Sequence, residues 1–365
     1  MKKAFLRFTL FLLVYLPIRS IETAQTVDIP DPNLRDYIER VLDKAAGDPI
    51  TVTEMTTLTF LDPWGEDISD LTGLDYAINL TDLNLNRNSI SDISPVAGLT
   101  SLTSLHLGGS SISDISPVTG LTNLTDLTLF ENSILDISAV AGLTNLTELF
   151  LQDNSISDIS VLMGLTNLEW LRLSDNSISD ISALAGLTNL MGFYIDGNSI
   201  SDISAVTNLT NLKSLDLSYN SVFDLSPLVA NTGLGPKSGV RVGGNPLSNL
   251  SLHMRIPTLQ ERGVRVRFAE TELLRNYPNP FYLETWIPYR LAENASVTLT
   301  IYNQSGRLIR TLGVGHQIAA IYESRPNAAY WDGRNELGER VASGIYFYHL
   351  SAGDSSITRK MVILR

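Results

Sequence analysis

The sequence predicts an α/β solenoid with parallel β-strands on its concave face, joined to a smaller all-β sandwich. Three observations carry that prediction. Leu recurs every 22 residues, at Leu58, Leu80, Leu102, Leu124, Leu146, Leu168, Leu190 and Leu212. The period is gone after Thr271, where short strand-like runs separated by Gly-containing turns take over. With 44% apolar and 18% charged residues over 365 positions, the chain has the length and the apolar content to bury more than one core.

At the N-terminus, Lys2 and Lys3 precede an apolar stretch, Ala4 to Ile18, interrupted by Arg7, Thr9 and Pro17. It is too short for a comfortable spanning helix and fits the core of a signal peptide, so residues 1–24 are read as an export signal cleaved near Ala24 or Ser20. No other segment approaches spanning length, and the mature chain is expected outside the cytoplasm with no membrane span. Residues 28–57 begin with Asp31-Pro32 and an amphipathic run of Leu34, Tyr37, Ile38, Val41 and Leu42. That pattern predicts a helical cap over the first open repeat.

Residues 58–250 hold the repeats. From each start the text runs L-x-x-L-x-L-x-x-N-x-I-x-D-I, as in Leu146, Leu149, Leu151, Asn154, Ile156, Asp158 and Ile159. The short leading run predicts a β-strand with inward Leu side chains, and each turn continues the core of the one before. Nine strands at a spacing of roughly 4.8 Å would form a rod about 40 Å long. The Asn column, Asn88, Asn132, Asn154, Asn176, Asn198 and Asn220, is expected to satisfy backbone groups at the corner after each strand, with Ser110 as a weak rung. On the return arm, Ser94-Pro95, Ser116-Pro117 and Ser226-Pro227 are expected to cap short helical turns through Ser. The Asp column from Asp92 to Asp224 places one carboxylate per turn, unlike a calcium loop, and is read as local backbone capping. Residues 251–270 are assigned to a C-terminal cap whose strand-like tail alternates Val264, Val266 and Phe268 with Arg265 and Arg267.

Charge narrows the partners. The net charge is −13, and sixteen acidic residues face three basic ones between Leu80 and Leu225, so a nucleic-acid partner is not expected. The absence of Cys removes disulfides and thiolate chemistry. Only four His are present, far apart, with no H-E-x-x-H, no G-x-S-x-G and no phosphate-binding glycine loop; Gly313 and Gly315 are placed between short strands. The reading is a protein without catalysis, cofactor or metal.

Residues flanking the inward Leu of each strand are expected on the concave surface. There, aromatics gather in consecutive repeats, Phe130, Phe150, Trp170 and Tyr194, with Arg172 among them and Asp126 and Glu148 alongside. Exposed aromatics around one Arg have the composition of a binding hot spot, and the two acids favour a partner with basic groups. The expected ligand is a protein. A glycan stacking on the same rings, or a scaffold with no specific ligand, are the alternatives.

The text L-T-N-L-T-x-L-x-L-x-x-N-S-I-S-D-I-S resembles the internalin-type subclass of bacterial leucine-rich repeats across roughly residues 58–250. Residues 271–365 are assigned to a sandwich with strands at 285–290, 296–302, 307–312, 329–331, 345–350 and 358–364, with Tyr277-Pro278-Asn279-Pro280-Phe281 as a linker before it. That Y-P-N-P-F, together with V-T-L-T-I-Y-N-Q-S-G-R, S-G-I-Y-F-Y-H-L-S-A-G and the closing T-R-K-M-V-I-L-R, resembles the C-terminal sorting domain of type IX secretion substrates. The stretch A-Y-W-D-G-R-N-E-L-G-E-R-V-A-S-G is similar to the immunoglobulin-like domain of the flagellar hook-capping protein. Tyr282-Leu283 depart from the Asn-Pro usual in the sorting family. The resemblance implies recognition by outer-membrane secretion machinery through residues 271–365 and a protein that is secreted or held at the cell surface.

Overall fold

The computed structural model describes residues 25–268, 271–292 and 294–364, and the export signal assigned to residues 1–24 lies outside the described residues. Helix α1 (Pro32–Val41) starts where Asp31 caps it: its Oδ1 accepts hydrogen bonds from the Asn33 and Leu34 N–H groups, both at 3.0 Å. Its Oδ2 accepts from Ser69 N–H at 2.8 Å and Asp70 N–H at 3.1 Å in the first repeat. One buried carboxylate thus caps the helix and staples it to the solenoid. Burial alone would raise its pKa, but the bonds from Leu34, Ser69 and Asp70 outweigh burial and hold it below the ordinary value. The short α2 (Val52–Met55) opens with a reciprocal capping box between Thr51 and Glu54. The Glu54 carboxylate also accepts from Lys44 at 2.7 Å, and that bond with those from Thr51 pulls its pKa down to about 2.

The solenoid is built on one parallel sheet: β1 (Phe60–Leu61), β2 (Asp82–Asn84), β3 (Ser104–His106), β4 (Asp126–Thr128), β5 (Glu148–Phe150), β6 (Trp170–Arg172), β7 (Gly192–Tyr194), β8 (Ser214–Asp216), β9 (Gly239–Arg241) and β10 (Arg265–Arg267). Equivalent residues stack in register, as in Leu105, Leu127, Leu149 and Leu171, all buried. The sheet therefore has ten strands rather than nine. The basic tail of the C-terminal cap pairs with β9, Val266 opposite Val240, because its buried Val continues the inward column without the Leu text. α3 (Ser226–Ala230) joins β8 to β9, and a π-helical turn (Ser251–Arg255) followed by α4 (Ile256–Glu261) joins β9 to β10.

The return arms are 3-10 turns such as Ser94–Val96 and Ser160–Gly164. Ser is not the cap. It is the first residue of the turn, and its N–H donates to the Asp two residues earlier, Asp92, Asp114, Asp136, Asp158, Asp180 and Asp202 each accepting at 2.7–2.8 Å. An Asp side chain reaches two residues on in this way without helical geometry, whereas Ser lies already inside the turn.

Asn side chains tie each turn to the one before. Asn154 Nδ2 donates to Leu129 O at 2.9 Å and Leu151 O at 3.1 Å, and its Oδ1 accepts from Ile134 N–H at 3.0 Å. Asn88, Asn132, Asn176, Asn198 and Asn220 make the equivalent bonds. At the equivalent rung Ser110 gives one bond, from its hydroxyl to Asn88 O at 3.2 Å. On the outside of each turn a second Asn column runs parallel, with Asn123, Asn145, Asn167 and Asn189 donating to Thr carbonyls 23 residues earlier at 2.9–3.0 Å. The residue before each inner Asn is left-handed: Arg87, Glu131, Asp153, Asp175 and Tyr219 have φ of 50–58°, and Gly109, Gly197 and Gly244 fill the same position elsewhere.

The second module contains β11 (Glu272–Leu273), β12 (Thr285–Ile287), β13 (Tyr289–Arg290), β14 (Ala295–Asn303), β15 (Leu308–Gln317), β16 (Ile321–Tyr322), β17 (Ala329–Trp331), β18 (Gly344–Ala352) and β19 (Ser355–Ile363). An antiparallel sheet β15-β14-β18-β19 shares one core with β11-β13-β16 and β12-β17, filled by Trp331, Tyr289, Tyr348 and Phe281. Gly313 and Gly315 lie inside β15, at a bulge opposite Val297 and Thr298, rather than between strands. Tyr277 to Phe281 is not a linker either. Tyr277 pairs with Trp286, Phe281 is fully buried, and Asn276 Nδ2 donates to Pro278 O and Thr285 Oγ1, so the prolines turn the chain within the sandwich wall. The two modules touch: Ala319, 2% exposed, packs into the solenoid core, and Gln260 Nε2 donates to Ala319 O.

Two stability changes follow from these bonds. Asp31→Ala is expected to cost about 2–3 kcal/mol at pH 7, a helix cap plus charge-assisted hydrogen bonds. The folded pKa of Asp31 lies below its unfolded value near 4, so the contribution is complete above about pH 4 and is lost as pH falls through the folded value. Urea midpoints at pH 7 and pH 3 should show the gap between wild type and variant narrowing; a constant gap contradicts the assignment. Ser110→Asn should raise the melting temperature by roughly 1–4 °C, the effect of one or two added hydrogen bonds in a chain of this size. A lowered melting temperature contradicts the rung.

Candidate partner-binding face

Each short strand turns its central residue into the core and its two flanking residues toward the concave surface, where they are half-buried or exposed across β2 to β7 apart from Thr128 and Gly192. Register then decides which side chains meet. Phe150, Arg172 and Tyr194 are direct neighbours across β5, β6 and β7. The Arg172 guanidinium lies 5.0 Å from the ring centre of Phe150 and 5.0 Å from that of Tyr194. One cation is thus held between two aromatic faces. Tyr194 is oriented further by its hydroxyl, which donates to Ser214 Oγ at 2.9 Å.

The row two residues earlier places Asp126, Glu148 and Trp170 side by side. On β7 the residue beside Trp170 is Gly192, and the indole occupies the space a side chain there would need: a Cβ at Gly192 would come within 2.2 Å of Trp170 Cε3. Phe130, in the turn after β4, docks on Gly108 in the same manner, 2.5 Å from where a Cβ would stand. These two glycines are the seats of the rings, and the sequence reading passed over them. Their signal was present: each sits one repeat from a large ring in the same column. Phe130 belongs to a third row and does not join the Arg172 stack.

Electrostatics distinguish the acids of this face. Burial raises the Glu148 pKa, and the Asp126 carboxylate beside it raises it further, with Arg172 opposing. His106, two strands away, has its pKa lowered by burial, and its ring contacts Ser104 Oγ at 2.8 Å and Thr128 Oγ1 at 3.0 Å. Among the described residues no three His, Asp or Glu side chains converge as metal ligands would. The face offers a fixed cation between rings, an indole seated on a glycine and two adjacent carboxylates.

Sequence and fold comparisons agree on the class. Residues 78–120 and 122–178 match leucine-rich repeat families, and residues 286–356 match the FlgD Ig-like domain. The chain is therefore a leucine-rich repeat solenoid followed by an immunoglobulin-like β-domain. An internalin, InlF, from Listeria monocytogenes is 35% identical over 66% of this chain and 77% of its own, with a TM-score of 0.56. Internalin C2 from the same organism is 32% identical over 60% of this chain and 94% of its own, with a TM-score of 0.55. The chain belongs to the internalin family of leucine-rich repeat proteins. A leucine-rich repeat protein from Leptospira interrogans, 23% identical with a TM-score of 0.54 over 60% of this chain and 62% of its own, shares the fold. Comparison with curated protein sequences gives no match. Among the described residues no helix is long and apolar enough to cross a membrane.

Gly192→Ala is expected to lift the Trp170 indole off β7 at a cost of about 1–3 kcal/mol, with a red shift in tryptophan emission. The same change made in a Trp170→Phe background should give no shift. A shift that persists there would assign it to another tryptophan and remove the docking argument.

Proposed function

We propose that this protein binds another protein through the concave face of its solenoid, outside the cytoplasm, and performs no catalysis. The observation that carries the reading is the Phe150–Arg172–Tyr194 stack: a cation and two rings held in place before any partner arrives. Preorganised aromatic and Arg side chains lose little freedom on binding, which is why such groups dominate interface energetics. Trp170 and Phe130, seated on glycines, extend the platform, and Asp126 and Glu148 give it a negative margin suited to a basic group on the partner. Membership of the internalin family supports a role in binding rather than chemistry.

Export is the second half of the proposal. The signal-like N-terminus and the likeness of residues 271–365 to type IX sorting domains together support a protein secreted or displayed at the cell surface, with the β-domain read by an outer-membrane machine. A glycan stacking on the same rings is the competing reading for the face.

Both halves can be tested. An array of extracellular proteins and an array of glycans, probed with the mature chain, should give a protein hit that Trp170→Ala with Phe150→Ala weakens by at least about tenfold, the cost of removing two hot-spot rings, without altering melting. Undiminished binding would move the site elsewhere, and a hit on glycans alone would select the alternative. Intact mass of the native protein from the culture medium or cell surface should show the first residues removed; an untrimmed chain inside the cell would end the export reading.

A further inference from the structure

The outer wall of the sandwich carries a second set of rings. In β12 and β17 the residues flanking each centre are buried, Thr285 and Ile287 on one strand and Ala329 and Trp331 on the other, so Trp286 and Tyr330 point outward. Register sets Trp286 beside Tyr330, and Tyr277 pairs with Trp286 along its other edge. Both outward positions of this short sheet are therefore aromatic, where an antiparallel sheet facing water ordinarily shows polar side chains. Ring centres lie 6.2 Å apart from Tyr277 to Trp286 and 5.7 Å apart from Trp286 to Tyr330, the first pair near-parallel at 20° and the second tilted at 53°.

Two charged side chains are fastened to this row. The Arg325 guanidinium lies 4.1 Å from the Trp286 ring centre, its cation held on the π face of the indole. Among the described residues it has no carboxylate at ion-pair distance, so its N–H groups are left for a ligand. The Tyr330 hydroxyl donates to Glu284 Oε2 at 2.9 Å, which leaves Glu284 Oε1 as an acceptor, and the Tyr330 ring itself stays 48% exposed. Other carboxylates close by are already answered, Asp332 by Arg334 at 3.7 Å and Glu323 by Arg290 at 2.6 Å. An open ring thus stands beside one donor and one acceptor whose formal charges cancel.

Size and charge select the ligand. With the segment of Tyr277 included, the row is roughly 15 Å across and about 10 Å long, on the order of 150 Å² of face at ordinary strand spacings. A stable protein interface takes roughly 800 Å² from each partner, so the row is too narrow for one. A sugar fits it: the apolar C–H face of a pyranose lies on an aromatic ring, and its hydroxyls donate and accept at once, matching Glu284 and Arg325. A neutral sugar leaves the balanced pair balanced, whereas an acidic one would set its carboxylate near that of Glu284. We propose that the outer face of β12 and β17 binds a neutral glycan, with one sugar ring stacked on Tyr330 and its hydroxyls bonded to Arg325 and Glu284. The inference does not rest on the protein-binding reading of the concave face, and the two can fail separately.

The test uses the mature full chain and titration calorimetry with cellohexaose, laminarihexaose, mannohexaose and xylohexaose. At least one should bind, and Tyr330→Ala should weaken it at least about tenfold with unchanged melting. Arg325→Gln should weaken the same sugar at least about threefold, the loss of one hydrogen bond or more, while Arg307→Gln elsewhere on the sandwich surface leaves it unaffected. Hexagalacturonate should bind at least about tenfold more weakly than the best neutral hexamer. Failure of all four neutral hexamers to bind overturns the proposal. So does equal or tighter binding of hexagalacturonate, which would reduce the site to a trap for anions, or of hexaproline, which would make it a site for extended peptides. A sugar lost in Trp170→Ala with Phe150→Ala but retained in Tyr330→Ala belongs to the concave face and overturns the proposal as well.

Discussion

The solenoid depends on one interaction repeated along its length: an Asn side-chain amide shared between two successive turns. Three-residue strands bury one central apolar residue each, in most repeats Leu, and leave the chain with a corner after every strand, where backbone groups have no strand partner. The amide of Asn154 answers this by bonding carbonyls in its own turn and the preceding one while accepting an N–H from the preceding turn. No other side chain offers two donors and an acceptor in so short a reach. Leu stacking supplies the apolar drive, but Leu is non-directional. The amide sets the corner and holds the strands at a constant register.

Constant register is what turns a list of surface residues into a face. With strands held residue to residue, Arg172 falls between Phe150 and Tyr194, and Trp170 falls over Gly192. A slip of one residue would send every one of these side chains into the core. The same register sets Arg267 beside Arg241 at the far end of the sheet. Each corner also forces one residue into the left-handed region, which five repeats accept with a non-Gly side chain, including Tyr219, at some local cost.

Much of this was legible in the sequence because the repeat is written in residue types with one role each. Inward Leu, corner Asn and the 22-residue period predict the stacked sheet and the column of surface residues. Legibility fails where a residue's role is set by its neighbour in space. Ser before Pro reads as a cap, yet Asp two residues earlier does the capping, because the turn begins one residue sooner than the Ser-Pro text implies. Arg265–Arg267 pairs as a tenth strand with Val in place of Leu, which the repeat text does not include. Tyr277 to Phe281 looks like a breaker from its prolines, but Asn276, Phe281 and Thr285 anchor it in a core formed by strands as far along the chain as Ser355–Ile363. The seats of Trp170 and Phe130 are glycines, which carry no chemistry until the ring above them is placed.

The central claim is that the Asn amide, rather than Leu packing alone, fixes each corner and thereby the arrangement of the concave face. Amide hydrogen exchange of Asn154→Ala compared with wild type tests it most directly. The account predicts faster exchange confined to the two turns that the amide joins, around residues 129–156 and including Ile134 N–H, with the caps and β8 to β10 unchanged. Exchange that stays the same in those turns, or rises evenly along the solenoid, would contradict it.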